Sequence, residues 1–486
     1  MKISKENLNR VVISFLIISI TLFGVFSFFI NKSIIDTGIN YYTIIVGGIS
    51  SILLICNNIE DFKLKNINKI SLILSIIVLL WFIITFIFGI NQGIESIKGI
   101  INFGSLLLLG FVISNIKLSE EDAKLINKSI FISFFASAVI GIFQYFSGIN
   151  LITYSNSVYP GILGRINSTF FIATIYDKYV VLVSVLLVYN MIRNNDNKIY
   201  KFLFLLAGIS VTLTFSRSGQ MMFLALAFLL FLYSIFKKQI LNIFTVIITL
   251  LVILLIPGSS LAIQSGIDYA YETLSVPMNY RIDLSGFNNV LRDAFVNISK
   301  TRSHSTIETE EDLEEDDEII PVKNQSMSFR DKYKKVGKQF IKEYPITGIG
   351  VGNYSYVFNN QNASKYLNDT TALKDLRIMM YPHNGYVQLA AETGYIGLIL
   401  LSITILSYLV YFDSKKDKLL LFVSILLIIA LMITNYTEGA FHAKQYIFVF
   451  MIMYAVLCSK DKITLSEIPT KEKRKYSKKT KKKSSK

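Results

Sequence analysis

Apolar runs of about 18–22 residues recur along this chain of 486 residues, from one end to the other. A run of that length crosses the hydrocarbon core of a bilayer as a helix, which needs about 20 residues. Most of the runs are apolar on every side. That pattern excludes amphipathic helices wrapped around a large soluble core. Composition agrees: 52% of residues are hydrophobic and the mean hydropathy is +0.50, outside the usual range of soluble domains. The expected fold is an all-α polytopic membrane protein.

The runs fall at about Val11–Ile30, Tyr41–Cys56, Ile70–Gly89, Gly99–Ile116, Ile130–Gly148, Thr169–Ile192, Lys201–Phe215, Met221–Phe236, Ile240–Ile256, Gly394–Phe412, Leu419–Thr434 and Tyr446–Cys458. These predict about 12 transmembrane helices, with both termini on one side. With the N-terminus inside, the inner connections and N-terminal segment carry seventeen basic residues, from Lys2, Lys5 and Arg10 to Lys415, Lys416 and Lys418. The short outer connections carry only Lys32, Lys98, Arg165, Arg217 and Lys444. The alternation never breaks, so the rule that cytoplasmic loops collect Lys and Arg puts both termini in the cytoplasm. No proline falls inside an expected span, so the helices read as unbroken.

The chain divides into helices 1–9 over residues 1–256, a large extracellular loop over 257–382, helices 10–12 over 383–458 and a basic cytoplasmic tail over 459–486. The loop reads as partly helical. Phe287–Ile298 has helical spacing, and SFRDKYKKVGKQFIKEYP predicts a helix capped by Ser328, with Arg330 in its first turn. Phe329, Tyr333, Val336 and Phe340 form one apolar stripe of packing character, and Pro345 follows the stop. Residues 308–318 hold nine acids in eleven positions and read as a solvated insertion.

The net charge of +15 is not a nucleic-acid signal, because twelve of the 49 Lys and Arg lie in Lys460–Lys486 and no folded basic face or stacking platform accompanies them. Such a tail fits a membrane surface. Cys56 and Cys458 each sit near the end of an apolar helix and support neither a disulfide framework nor a metal site. The histidines are His304, His383 and His442, too few for a metal centre built on histidine clusters. No cofactor is expected.

Intramembrane charge is nearly absent, Asp177 and Lys178 being the exception. Adjacent residues do not face each other on a helix. The pair reads either as the polar outer end of a short helix or as functional. The remaining polar residues lie on the outer side: Arg165 in GRINSTF, Arg217 in SRSG, Arg330 in the loop and His383 just after it. Arginine is the usual partner of phosphate, with a planar fork of donors that stays charged. Histidine is a suitable general base. Together they suit attack by a hydroxyl on a carbon that carries a diphosphate leaving group, with no divalent metal required.

Three segments carry a resemblance: SRSG at Ser216–Gly219, the Arg330 helix leading into YPITGIGVGNY at Tyr344–Tyr354, and HNGYVQLAAETGYIGL at His383–Leu398. In order and in context they resemble the O-antigen ligase and O-antigen polymerase superfamily of bacterial polysaccharide assembly, over roughly Thr169 to Thr434. The resemblance implies a metal-independent, inverting glycosyltransferase of the bacterial cytoplasmic membrane, with its active site outside. It implies that Arg217 and Arg330 contact the diphosphate of an undecaprenyl-linked oligosaccharide and that His383 deprotonates or orients the acceptor. Arg165 resembles a further arginine segment of the family less closely. Gly350, Gly352 and Asn353 would allow a tight turn or close approach to the glycan, and Asn384 and Glu392 count with them as candidate substrate-binding residues, with Glu392 and Gly394 matching an E-x-G that is also open to a structural role. The acceptor stays open. A capsule, exopolysaccharide or O-antigen polymerase is favoured over a ligase to lipid A-core, envelope glycan or protein, with a flippase for the same lipid-linked glycan as the non-enzyme alternative. Expected partners are membrane lipids, a chain-length regulator and a flippase of the same pathway, and no nucleic acid. Plain readings stand beside these. Arg217 could anchor a helix end at the headgroups, Arg330 could be solvated, His383 could cap a helix, and His442 in NYTEGAFHAKQ is a rival base. The acidic insertion departs from the family pattern.

Overall fold

The computed structural model describes residues 5–22, 32–59, 61–63, 67–116, 118, 120–147, 166–170, 173–256, 322–359, 363–368, 382–409, 418–439 and 446–453. Among these every regular element is helical. Arg165, His304, His442, the 287–298 segment, the 308–318 insertion and the 459–486 tail lie outside the described residues.

The helices are α1 (Lys5–Thr21), α2 (Lys32–Asn57), α3 (Lys69–Ile87), α4 (Ile94–Asn115), α5 (Glu120–Ser147), α6 (Ala173–Arg193), α7 (Lys198–Leu213), α8 (Arg217–Phe236), α9 (Ile240–Leu254), α10 (Val322–Glu343), α11 (Asn353–Asn359), α12 (Gly385–Leu409), α13 (Lys418–Thr437) and α14 (446–453). Seven are long and apolar enough to cross a membrane: α3, α4, α5, α6, α8, α12 and α13. This is an integral membrane protein, as the apolar runs require.

Helix α6 is the axis of the bundle. Nearly all of it is buried, against α5, α7, α8 and α13. An all-round apolar helix needs protein or lipid on every side, and here protein supplies it. By contrast, α3 is mostly exposed along its apolar length, the arrangement of a helix that faces lipid. Many serine and threonine hydroxyls inside the bundle bond back to carbonyls three or four residues earlier, as Ser51 does to Gly47 O and Ser184 to Val180 O, which meets those donors among the apolar side chains.

The two ends of the bundle carry different polar contacts. At one end Asn9 of α1 exchanges amide hydrogen bonds with Asn58, just past α2, at 2.9 and 2.7 Å. There too Arg10 pairs with Glu121 and Asp122 at the start of α5, and the Asn68 N–H before α3 donates to Asn115 Oδ1 at the end of α4. Starts thus meet ends and other starts, the alternation expected of an up-and-down bundle. The opposite end holds the start of α6, α8 and α12 and the end of α13.

The segment between α9 and α12 has its own small core. Tyr333, Val336, Phe340, Ile349, Tyr354 and Val357 pack with Ala390 and Ala391 of α12. Tyr333, Val336 and Phe340 are the apolar stripe expected from the sequence, and they pack as expected. The helix itself begins earlier than expected. It runs from Val322, so Ser328 is no cap and Arg330 lies in its third turn. The helix thus extends over Val322–Met327, beyond the stripe read from the sequence, which is why the stripe alone misplaced the start.

Helix α12 also departs from the hydropathy reading. It starts at Gly385 and not at Gly394, because Asn384 caps it: Asn384 Oδ1 accepts from Val387 N–H at 3.0 Å. It is not continuous either. Gly394 sits at φ +69, ψ 177 and breaks it, so the expectation of unbroken helices fails although no proline is present. A side chain there would place Cβ 1.7 Å from Ile346 O. Only glycine permits both the dihedral and the approach.

Candidate active site

The break at Gly394 frees backbone groups, and the glycine-rich turn takes them up. Tyr395 N–H donates to Pro345 O at 2.9 Å in place of its own helix. Ala391 O accepts from Ile349 N–H at 2.8 Å, and Glu392 O from Gly350 N–H at 2.9 Å. Trp81 Nε1 of α3 donates to Thr393 O at 2.9 Å. Each buried carbonyl thus regains a partner. The GIGVGN and HNGYVQLAAETGYIGL segments are therefore one unit, a turn docked on a broken helix.

The polar side chains of that unit are engaged inside it. Glu392 is buried; Oε2 accepts from Gly352 N–H at 3.1 Å and Oε1 from Gln388 Nε2 at 3.2 Å. Asn353 is also buried. Its amide donates to Asn91 O and Ile349 O and accepts from Ser96 Oγ, at 2.8 to 3.0 Å. Gly350 and Gly352 take φ values of +100 and +78. At Gly350 the backbone approaches so closely that an added Cβ would lie 3.0 Å from the Gly89 Cα.

His383 stands at the mouth of this unit. It precedes the Asn384 cap in a left-handed conformation, φ 45, which histidine tolerates better than most residues. Its Nδ1 lies 3.0 Å from Glu438 Oε2. The histidine side chain is 29% exposed and the Glu438 side chain 8%. The backbone fixes the pair as well, since Gly385 N–H donates to Glu438 O at 3.0 Å. A carboxylate on Nδ1 selects the tautomer with the proton there and leaves Nε2 with a lone pair, the arrangement of an oriented general base. Sequence reasoning missed Glu438. The signal was present: an acid in NYTEGAFH, at the end of an apolar helix on the same side as His383.

Arg217 is the first residue of α8 and is exposed. Behind it lies a buried charge pair. Lys178 Nζ lies 3.0 Å from Asp177 Oδ2 and 2.6 Å from Ser218 Oγ. Sequence adjacency was expected to keep Asp177 and Lys178 apart. The long lysine arm bends back along the helix and closes the pair. Asp177 also packs on Gly219, where an added Cβ would lie 2.1 Å from Oδ2, and Glu438 is within its electrostatic reach. The SRSG turn thus packs on the start of α6, with Glu438 of the His383 pair within electrostatic reach of Asp177.

The other two arginines are placed less fully. Arg330 lies on α10, a helix that runs beside α12, with Gly337 against Val387. Arg165 lies outside the described residues. The chain after it, Ile166–Phe170, is buried, and Ile166 N–H donates to Leu213 O at 3.1 Å, just before the SRSG turn.

A search for family likeness matches residues 202–402 to the family described as O-antigen ligase. That stretch is similar to the O-antigen ligase family and supports the likeness to the O-antigen ligase and polymerase superfamily. No curated protein matches the chain. The O-antigen ligase segment starts within α7 and ends within α12, so it takes in Arg217, Arg330, the glycine-rich turn and His383. Asp177, Lys178 and Glu438 fall outside it. The protein is thus an integral membrane protein with a stretch similar to the O-antigen ligase family.

Proposed function

We propose that the protein transfers a glycan from an undecaprenyl-diphosphate carrier to an acceptor hydroxyl at the outer face of the bacterial cytoplasmic membrane. The hydrogen bond between His383 Nδ1 and Glu438 Oε2 carries this reading, because it gives the histidine the orientation and tautomer of a base. His383 Nε2 takes the proton of the acceptor hydroxyl. The oxygen forms a bond to the anomeric carbon from the face opposite the leaving group. The bond from that carbon to the diphosphate oxygen breaks, the diphosphate keeps the electron pair, and the configuration inverts. Glu438 stabilises the imidazolium that forms.

Arg217, Arg330 and Arg165 balance the charge that develops on the diphosphate. The register of α10 along α12 supports the placing of Arg330. Gly337 meets Val387 and Pro345 meets Tyr395, so the two helices run in the same direction. Followed back along α10, that register carries Arg330 just past the start of α12, toward the end where His383 stands. Gly350, Gly352, Asn353, Asn384 and Glu392 act from behind the site, by holding the turn and the cap that fix His383.

The favoured acceptor is another lipid-linked repeat, which makes the protein a capsule, exopolysaccharide or O-antigen polymerase. The description of the matched family as O-antigen ligase favours a second reading, transfer of a finished chain to another envelope acceptor. A flippase is disfavoured, because transporters aim the free ends of broken helices at substrate, whereas here Ile349, Gly350 and Trp81 consume the groups freed at Gly394.

Surface glycan in strains carrying His383→Ala or Arg330→Ala tests the reading. A polymerase loses long chains and keeps single repeats. A ligase accumulates whole lipid-linked chains. Repeats trapped on the inner leaflet would favour a flippase, and unaltered glycan in both strains would remove the proposed site.

A further inference from the structure

The Asp177–Lys178 pair plays no part in the chemistry above, and stability does not explain it. Taking two charges out of water is expensive, and apolar side chains in place of such a pair often hold a fold as well or better. Both side chains are wholly buried in the axial helix of the bundle. The pair touches two parts of the site. Lys178 donates to Ser218 of the arginine turn at 2.6 Å, and Asp177 lies against Gly219 of the same turn. Asp177 is also within electrostatic reach of Glu438, which holds His383, and its helix packs against the helix that ends just before Glu438.

We propose that Asp177 and Lys178 are positioning residues, which hold the turn bearing Arg217 at a fixed offset from the His383–Glu438 dyad, so that diphosphate and acceptor meet in one geometry. The proposal rests on the reading of Arg217 as a diphosphate contact. Arg217 is adjacent to Ser218, so a shift of the turn moves its guanidinium, and a misplacement of about 1 Å costs about 10²-fold in rate.

The test uses full-length protein in lipid nanodiscs, with binding of undecaprenyl diphosphate and transfer from an undecaprenyl-diphosphate-linked oligosaccharide as readouts. The double variant Asp177→Leu/Lys178→Met replaces the pair by apolar side chains. It should melt near the wild-type temperature, bind the lipid diphosphate about 10-fold more weakly and transfer about 10²-fold more slowly. Ser218→Ala leaves the pair intact and cuts its link to the turn; it should weaken binding in the same direction by about 3-fold, and it carries the test if the double variant does not fold. Either change added to Arg217→Ala should cost no further binding, since both act through that arginine. Wild-type binding and transfer in the double variant, wild-type binding in Ser218→Ala, or losses that multiply with that of Arg217→Ala, would each overturn the proposal. Wild-type binding in Arg217→Ala itself would overturn the diphosphate reading and the positioning role with it.

Discussion

Glu438 touches His383 and is otherwise shielded from solvent, so its charge acts on the imidazole at short range. Glu438→Gln keeps the size of the side chain and removes the charge. It should lower the rate of transfer at saturating donor by about 10²-fold or more, the scale of a general base put in the wrong tautomer, with donor binding unchanged. Single-turnover transfer in nanodiscs measures this; a wild-type rate would reduce Glu438 to a helix-end contact. Glu392 predicts the opposite behaviour. Its carboxylate is spent on Gly352 N–H and Gln388. Glu392→Ala should therefore lower stability by about 1–3 kcal/mol, the cost of leaving a buried donor unmet, while transfer per folded molecule stays near wild type. Melting in detergent beside activity of the purified fraction separates the two. The sequence pointed to Glu392, through its match to E-x-G, and passed over Glu438. Only the positions of Gly352 and His383 tell them apart, and those depend on residues distant in the chain.

Helix α12 shows what a single glycine does to an element. Its first half carries the cap that holds His383, its second half carries the apolar crossing, and Gly394 at φ +69 separates them. Gly394→Ala meets both an unfavourable dihedral and the Ile346 carbonyl. It should remove most folded protein from the membrane, as judged by fluorescence-detected size exclusion. Gly48→Ala in α2 is the control. Its Cβ would meet nothing within 4 Å, so it should keep or raise stability by up to about 1 kcal/mol, the helix preference of alanine over glycine. Hydropathy found this element from Gly394 onward because only that half is apolar. The first half is too polar to count within an apolar run, and neither its cap nor its break changes the hydropathy. The same limit explains α10, whose apolar stripe was legible at Tyr333, Val336 and Phe340 while its start at Val322 was not.

For the whole molecule, the alternation of Lys and Arg predicts that the polar end around His383 faces outside and the Arg10 end inside. With Cys56 and Cys458 changed to Ser, a cysteine at the exposed Ile346 should react with a membrane-impermeant maleimide in intact cells. A cysteine at Lys237 should react only after the membrane is opened; the reverse pattern would invert the topology. The sequence by itself determined the class of fold and offered the up-and-down alternation and the residue types of the proposed chemistry, because each depends on local quantities: the length of an apolar run, the charge of a connection, the identity of a side chain. The tertiary structure decided which of those residues meet. Glu438 reaches His383 from 55 positions away, and Lys178 reaches the arginine turn from 40. Such pairings are set by how helices pack around α6, and periodicity within one helix does not encode its rotation against another. The glycine-rich stretch and the histidine stretch were legible separately. That they form one unit followed only from the break at Gly394, whose freed carbonyls the turn satisfies.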